Sequence, residues 1–338
     1  MRTPPEPGTG CAVRSRLYLS VVTSIVVLMV ALTSTVASVA GDDDPPQGWE
    51  IPSAPAAPTP SASPTPPVTP TPEASPGPPG LDLTAQVDVK VDGFLSWAAL
   101  DRRTGERAGS RNQAKTSSTE SMIKVWIVAD YLRRRSEAGK QPSQRRLREA
   151  ELAIRDSHNG AAESLYRAGG TNDVVERMID RCGLTDTEIY PYWWSRTEIS
   201  ARDAVRLGEC IADGTAAGPE WTDWLLEQMR KVRGGTGQDD QPMDNGGEGG
   251  RWGIIDGLPP EVVDAGVAIK NGWTAIGRTN SWHLACLAIS DDWVIAVLLR
   301  YPVGKGLDYG AGKCAEVARQ LVRPVPVAGD PSAPPRLL

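Results

Sequence analysis

Two side chains with complementary chemistry lie three residues apart in the middle of the chain, Ser121 and Lys124. The apolar run around them continues to Leu132, which is typical of a helix buried inside a domain. Residues at this spacing share one face of a helix and can touch. A lysine among apolar groups loses hydration, which lowers its pKa, and its neutral amine can take a proton from a neighbouring hydroxyl. The pair predicts an activated serine nucleophile; the simpler alternative is a helix cap followed by a surface lysine.

The start of this helix shows a capping pattern. Ser117 is followed three residues later by Glu120, an arrangement in which each side chain satisfies an otherwise free backbone N–H. We therefore expect the helix to begin at Ser117.

Two further patterns follow in the chain. Ser157 and Asn159 form a Ser-x-Asn pair between two predicted helices, and Lys270 and Gly272 form a Lys-x-Gly pair on a predicted strand. Taken alone, the first reads as a helix N-cap and the second as a strand end. In this order after Ser121, however, the three patterns together predict an acyl-transfer site.

The elements that must position these residues are strands at both ends of a domain and helices between them. A strand over 93–100 leads into a hairpin turn over 101–105, and three strands are predicted near 265–270, 281–290 and 293–301. Helices are predicted over 147–155, 161–168, 172–181, 200–211, 221–232 and 312–322. The fold class is therefore α/β (α+β), with a mainly antiparallel sheet built from both ends of the domain and a helical block packed on it.

With these three patterns the sequence resembles the penicillin-recognising serine enzymes, class A β-lactamases and D,D-peptidases. The resemblance covers the whole domain and implies roles for individual residues. Ser121 would be acylated, Lys124 would activate it, and Ser157 would relay a proton to the leaving group. Asn159 would hold the substrate amide, and Lys270 would seat the substrate carboxylate. The backbone N–H groups of Ser121 and Trp273 would form an oxyanion hole, and the implied substrate-binding residues are Ser121, Asn271, Gly272, Trp273 and Arg278.

The sequence departs from the pattern of that family at several positions. His158 stands where class A enzymes have Asp, Asn271 replaces a hydroxyl residue, and Trp273 is bulky beside the predicted oxyanion hole. The Glu-x-x-Leu-Asn loop that supplies the deacylation base is missing from the corresponding stretch, residues 183–197. Glu188 is the one nearby candidate for that base, and the alternative is a solvated loop carboxylate.

Composition narrows the remaining possibilities. The 338-residue chain carries a formal net charge of -6, and its arginines are mixed with acidic residues, which argues against nucleic-acid binding. Two histidines and no Cys/His cluster at ligand spacing predict no metal site, and we expect no cofactor. We also expect a monomer.

The N-terminal part predicts export. Residues 1–16 read as a cytoplasmic N-terminus, and residues 17–40 form an apolar segment with basic residues before it and acidic residues after it. This segment is either a transmembrane anchor or a signal peptide ending near Ala40. Residues 41–80 form a linker with 14 prolines from position 45 onwards. The enzyme-like domain is predicted over 81–325, followed by a tail over 326–338, so the protein would be extracytoplasmic, membrane-anchored or secreted.

Four cysteines lie within the predicted domain. In an exported domain we favour two local bridges, Cys182–Cys210 and Cys286–Cys314, because each joins neighbouring elements. Four small buried hydrophobic residues are the alternative.

The resemblance implies an exported serine hydrolase that is acylated at Ser121 by a β-lactam or a peptidoglycan stem peptide. Without the usual base the acyl-enzyme should hydrolyse slowly. The alternative is an inactive relative that acts as an envelope-anchored binding protein, which Asn271 and Trp273 favour.

Overall fold

The sheet that supports the site is built from two separate parts of the chain. The computed structural model describes residues 79–237 and 249–324. Its five antiparallel strands are β2 (Phe94–Asp101), β3 (Arg107–Gly109), β6 (Ala268–Ile276), β7 (Ser281–Ile289) and β8 (Trp293–Pro302). They lie in the order β3-β2-β8-β7-β6.

Two short pairs of strands complete the β-structure. β1 (Pro79–Leu81) pairs with β9 (Val322–Pro324), which joins the two ends of the described range. β4 (Thr116–Ser118) pairs with β5 (Glu198–Ser200), next to the predicted nucleophile.

Helices occupy the middle of the chain, and one more follows the sheet. The side chains of the predicted central helix are buried on every face, from Val125 to Ala129, as its continuous apolar run requires. The helices are α1 (Lys124–Glu137), α2 (Gln144–Arg155), α3 (Asn159–Ala168), α4 (Asn172–Cys182), α5 (Ala201–Ala212), α6 (Thr222–Arg230), α7 (Pro260–Asp264) and α8 (Gly306–Leu321).

The predicted fold class is confirmed, because strands from both ends of the domain form one antiparallel sheet around a helical block. The predicted capping box is wrong. Ser117 lies in β4, where it pairs with Ile199, and the turn that follows is a 3₁₀ helix over Glu120–Ile123. Glu120 has a left-handed backbone conformation (φ +47°), and its carboxylate is bound elsewhere. Strand pairing with a distant segment has overridden the local capping preference.

Both preferred disulfides are confirmed. Cys182–Cys210 joins α4 to α5, and Cys286–Cys314 joins β7 to α8. Each bridge closes a loop with a sequence separation of 28 residues.

The predicted anchor or signal segment (residues 17–40), most of the linker and the tail lie outside the described residues. Within the described ranges, none of the helices is long and apolar enough to cross a bilayer. The boundaries predicted for the domain stay predictions.

Candidate active site

The predicted nucleophile lies where the helical block meets the outer edge of the sheet. Ser121 belongs to the 3₁₀ turn that leads directly into α1, and 6% of its surface is exposed. Lys124, the first residue of α1, is fully buried. A buried lysine needs polar partners to offset its loss of hydration.

The partners of Lys124 come from the junction between α2 and α3. Its Nζ donates to the backbone oxygen of Ser157, to Ser157 Oγ at 3.2 Å and to Asn159 Oδ1 at 2.7 Å. The indole of Trp194 covers the same amine, with 5.4 Å between Nζ and the ring centre. The structure therefore brings the first two predicted patterns into direct contact.

The hydroxyl of Ser157 links the two lysines of the site. Lys270, on β6, donates from Nζ to Ser157 Oγ at 3.0 Å and to its neighbour's backbone oxygen, Asn271 O, at 3.0 Å. Ser157 is fully buried and has a left-handed backbone (φ +53°), an uncommon conformation for a residue other than glycine. Backbone strain of this kind is found at positions that the surrounding structure holds firmly. Here the two lysines hold the side chain of Ser157.

His158, which stands where class A enzymes have Asp, caps α3. Its Nδ1 accepts a hydrogen bond from the backbone N–H of Ala161 at 3.0 Å. An imidazole nitrogen thus fills the capping role that an acidic side chain can have. Asp156, on the other side of Ser157, is buried and forms an ion pair with Arg233. The backbone on both sides of Ser157 is therefore fixed by side-chain contacts.

Strand β6 approaches the nucleophile through a glycine. A Cβ atom on Gly272 would lie 2.5 Å from Ser121 N and 2.5 Å from Thr119 O, closer than real Cβ contacts. Only glycine fits at this point, because the strand packs against the backbone of the nucleophile turn. β6 pairs with β7 alone within the described sheet, so its other edge faces Ser121. Trp273, the next residue, carries the second predicted oxyanion-hole N–H.

Three predicted substrate-binding residues, Asn271, Gly272 and Arg278, lie outside the lining of the pocket beside Ser121. The side-chain amide of Asn271 is buried and donates to Gly250 O at 2.9 Å and to Trp252 O at 2.6 Å. Arg278 is exposed in the 3₁₀ turn between β6 and β7. Asn271 therefore fixes the neighbouring loop through its amide, and the substrate contacts predicted for it and for Arg278 stay predictions.

The pocket beside Ser121 has a volume of about 460 Å³. Its walls come from the nucleophile turn, the start of α3, the strand β6 and the 3₁₀ turn over Trp194–Arg196. The lining includes Glu120, Ser121, Asn159, Trp194, Arg196 and Thr274. Trp194 and Arg196 belong to no motif, and Glu120 was assigned only to the capping box, so the sequence predicted no role in the pocket for any of the three.

Glu120 is a buried carboxylate next to the nucleophile. Ser118 Oγ donates to its Oε1 at 2.6 Å, and Thr274 Oγ1 donates to its Oε2 at 2.6 Å. The carboxylate thereby ties the nucleophile turn to β6. Burial raises the pKa of Glu120, and its two hydroxyl partners and Arg196 oppose that rise.

Glu188, the predicted deacylation base, is placed differently. Its backbone forms an isolated bridge with Glu198, its side chain is exposed, and it does not belong to the pocket lining. Trp194 lies in the segment that would carry this base in class A enzymes, and its Nε1 donates to Glu163 Oε2 at 2.9 Å. The role predicted for Glu188 is untested.

An exposed aromatic segment borders the pocket. The side chains of Tyr190, Tyr192 and Trp193 are 51%, 78% and 53% exposed. Tyr192 has a left-handed backbone (φ +61°), and its N–H donates to Asn172 Oδ1 at 2.8 Å. Four aromatic residues within five positions, 190–194, are the one sequence signal that marks this segment.

The chain is similar to several known proteins. Residues 138–235 match the model of the Beta-lactamase enzyme family (Beta-lactamase2). The chain is 30% identical over 193 residues to the putative lipoprotein LppW of Mycobacterium tuberculosis and Mycobacterium bovis. That match covers 56% of this chain and 57% of the length of those curated relatives.

Solved structures share the fold. PBP-A has a TM-score of 0.52 at 18% identity, with 69% of this chain and 90% of that chain covered. An ancestral class A β-lactamase has a TM-score of 0.52 at 17% identity, with 68% and 93% covered. At these identities the likeness shows the fold.

The family match covers residues 138–235, and the solved structures show the fold of the domain. The domain has the fold of the serine hydrolase superfamily that contains class A β-lactamases and penicillin-binding proteins, so the resemblance read from the three motifs is confirmed.

Proposed function

We propose that this protein is an exported serine hydrolase that is acylated at Ser121 by a β-lactam or by a peptidoglycan-peptide-like amide. The observation that carries the proposal is the contact of Ser157 Oγ with both lysines, 3.2 Å from Lys124 Nζ and 3.0 Å from Lys270 Nζ. A hydroxyl has one proton and two lone pairs. With two amines at its oxygen, it can pass a proton from one side of the site to the other.

In the proposed reaction, Ser121 Oγ attacks the carbonyl carbon of the amide, and a C–O bond forms. Its proton moves to Lys124, directly or through the hydrogen-bond network. As the C–N bond breaks, Ser157 delivers a proton to the leaving nitrogen, and Lys124 or Lys270 restores the proton of Ser157. The backbone N–H groups of Ser121 and Trp273 stabilise the negative charge on the carbonyl oxygen.

Slow release of the acyl group is the second part of the proposal. Among the described residues that line the pocket, Glu120 is the only carboxylate, and both of its oxygens already accept hydroxyl hydrogen bonds. Trp194 covers Lys124, and Glu163 beside it is bound by Trp194 and Arg167. We infer that no base is positioned to activate a water, so acylation should outpace hydrolysis. This favours a penicillin-binding protein over an efficient β-lactamase.

Two features support the exported location. Disulfides persist in oxidising compartments, and both cysteine pairs of the domain are bridged. The relatives from Mycobacterium carry a name that denotes lipoproteins. The apolar segment over 17–40 would provide the export signal or the anchor.

Covalent labelling tests the proposal. The full-length protein is incubated with a fluorescent penicillin, and the labelled peptide is identified by mass spectrometry. We expect one label on Ser121, its loss in Ser121→Ala, and competition by unlabelled benzylpenicillin. Failure of any β-lactam, and of a peptidoglycan-mimicking thioester, to acylate Ser121 would instead support the inactive binding protein.

A further inference from the structure

One basic side chain of the pocket has no part in the proposed reaction. Arg196 ends the 3₁₀ turn over Trp194–Arg196 and lines the same pocket as Ser121. Its side chain is 22% exposed. Its Nη1 lies 3.6 Å from Glu120 Oε1, and its guanidinium stacks over the ring of Trp193 at 5.4 Å.

Within the described ranges, that guanidinium makes no side-chain hydrogen bond, because its distance to Glu120 exceeds hydrogen-bond length. Glu120 is instead bound by the hydroxyls of Ser118 and Thr274. A guanidinium has five N–H donors in a planar fork. Most of that fork is therefore available to a ligand in the pocket.

The strand β6 shows which part of a substrate would meet Arg196. Lys270 and Thr274 are four residues apart, about 13 Å along a strand, and Gly272 between them contacts the Ser121 backbone. Lys270 binds Ser157, which lies on the side of the leaving group. Thr274 binds Glu120, next to Arg196, on the opposite side. The group retained on Ser121 after acylation therefore extends towards Arg196.

The surrounding charges leave this end of the pocket receptive to an anion. Burial lowers the pKa of His283 to about 4, so the ring is neutral near pH 7, and Arg300 lies near enough to contribute to that lowering. Two acidic side chains near this end of the pocket are Glu120 and Glu198. Both oxygens of Glu120 already accept hydroxyl hydrogen bonds, and burial raises the pKa of Glu198. Among the described residues that line the pocket, Arg196 is thus the one basic residue, and most of its N–H donors have no partner there.

We propose that Arg196 binds a carboxylate carried by the acyl half of the substrate, an inference that rests on the proposed acylation of Ser121. Arginine and carboxylate match in shape, since two parallel N–H groups can meet two oxygens. The stacked ring of Trp193 keeps the fork oriented. This carboxylate is distinct from the one on the leaving-group side that Lys270 would seat.

Two penicillins that differ by one carboxylate test the proposal. Benzylpenicillin and its α-carboxy derivative, carbenicillin, share a leaving group, and the added carboxylate lies on the retained acyl side chain. The second-order acylation rate of each is measured on the full-length protein by intact-protein mass spectrometry. We expect carbenicillin to react about ten- to a hundredfold faster, the range that charge-assisted hydrogen bonds provide.

Three variants isolate the role of the side chain. Arg196→Gln should abolish the preference, so that carbenicillin reacts no faster than benzylpenicillin. Arg196→Lys, which keeps the positive charge but lacks the planar fork of donors, should retain part of the preference. Arg107→Gln removes one positive charge from β3 at the opposite edge of the sheet and should keep the full preference.

The outcomes separate this inference from the proposed function. If both penicillins acylate Ser121 equally fast, or if Arg196→Gln keeps the preference, the carboxylate site is overturned and the acyl-enzyme stands. If neither penicillin reacts while circular dichroism shows a folded protein, both proposals fall.

Discussion

At the scale of single residues, the site depends on backbone contacts as much as on side chains. Gly272 leaves no room between β6 and the turn of Ser121, where an added Cβ would come within 2.5 Å of Ser121 N. Close-packed interiors adjust little to such an intrusion. The predicted oxyanion hole therefore depends on the absence of a side chain at this one position.

We expect Gly272→Ala to slow acylation by about 10²- to 10³-fold, the loss found when one oxyanion-hole donor is removed. The strand must retreat from the Ser121 N–H to admit the methyl group. The rate of labelling by fluorescent penicillin measures the effect. Gly277→Ala is the matched control, because its Cβ would meet nothing within 4 Å. Equal rates for the two variants would contradict this account of the hole.

His283 should make the stability of the domain depend on pH. Burial is the main reason that its pKa falls to about 4, below the value of about 6.5 in an unfolded chain. The neutral ring, which contacts Ser118 Oγ at 2.7 Å, therefore stabilises the fold fully above pH 6.5. That contribution is lost as the pH falls from 6.5 towards 4.

The measurement is urea unfolding of the wild type and of His283→Gln at pH 7 and pH 5. Between pH 7 and pH 5 we expect the free energy of unfolding of the wild type to fall by about 1 kcal/mol more than that of the variant, after allowance for the partial exposure of the ring. Glu120, whose pKa is raised, acts in the opposite direction, because its contribution is lost as pH rises. Glu120 is present in both proteins, so its effect cancels in the comparison. An equal loss of unfolding free energy in the two proteins would refute the role of His283.

The sequence predicted the residues that belong to motifs and missed those that do not. Ser121, Lys124, Ser157, Asn159 and Lys270 belong to three short motifs, so a common site could be predicted without a structure. The roles that the resemblance implies for them stay predictions. The missed residues are Glu120, Trp194 and Arg196. Glu120 is read locally as a helix cap, and the other two reach the pocket through a turn with no periodic pattern. Their proximity to Ser121 results from tertiary packing and cannot be predicted from spacing in the sequence.

At the scale of elements, long periodic segments were predicted well and the nucleophile turn was not. The helices α3 to α6 and the strands β2, β7 and β8 were predicted near their observed positions, because their apolar patterns are buried on the expected faces. Two elements differ: β6 covers Ala268–Ile276 instead of 265–270, and α8 begins at Gly306 instead of 312. The turn before α1 was predicted as a capped helix. It is set instead by the pairing of β4 with β5, which come from segments about eighty residues apart.

The two disulfides offer a test at this scale. Both close loops of the same sequence separation, 28 residues, so the chain-entropy model assigns each about 3.5 kcal/mol. Their exposure differs: Cys182 is half-buried, whereas Cys286 and Cys314 are fully buried. A mild reductant under native conditions should therefore cleave Cys182–Cys210 first.

Alkylation with iodoacetamide at successive times, followed by peptide mass mapping, measures the order of reduction. The Cys182 and Cys210 peptides should be alkylated while the other pair stays intact, with the fold retained by circular dichroism. Simultaneous alkylation of all four cysteines, or the reverse order, would contradict the assignment.

At the scale of the whole molecule, the site is a product of the fold's connectivity. One wall comes from the helical block (the turn of Ser121 and the α2–α3 junction). The other wall is β6, the edge strand of the sheet in which β2 pairs with β8. The fold class followed from the order of elements, since strands at both ends of a domain must meet in one sheet. The pocket between the two layers could not be predicted, because its shape depends on the exact approach of β6.

The most direct test of the central claim is an intact-protein mass time course with benzylpenicillin. We predict that the mass rises by one penicillin, that the adduct persists after free penicillin is removed, and that Ser121→Ala gains nothing. An unchanged mass, an adduct that survives in Ser121→Ala, or rapid return to the unmodified mass would contradict a slowly released acyl-enzyme at Ser121.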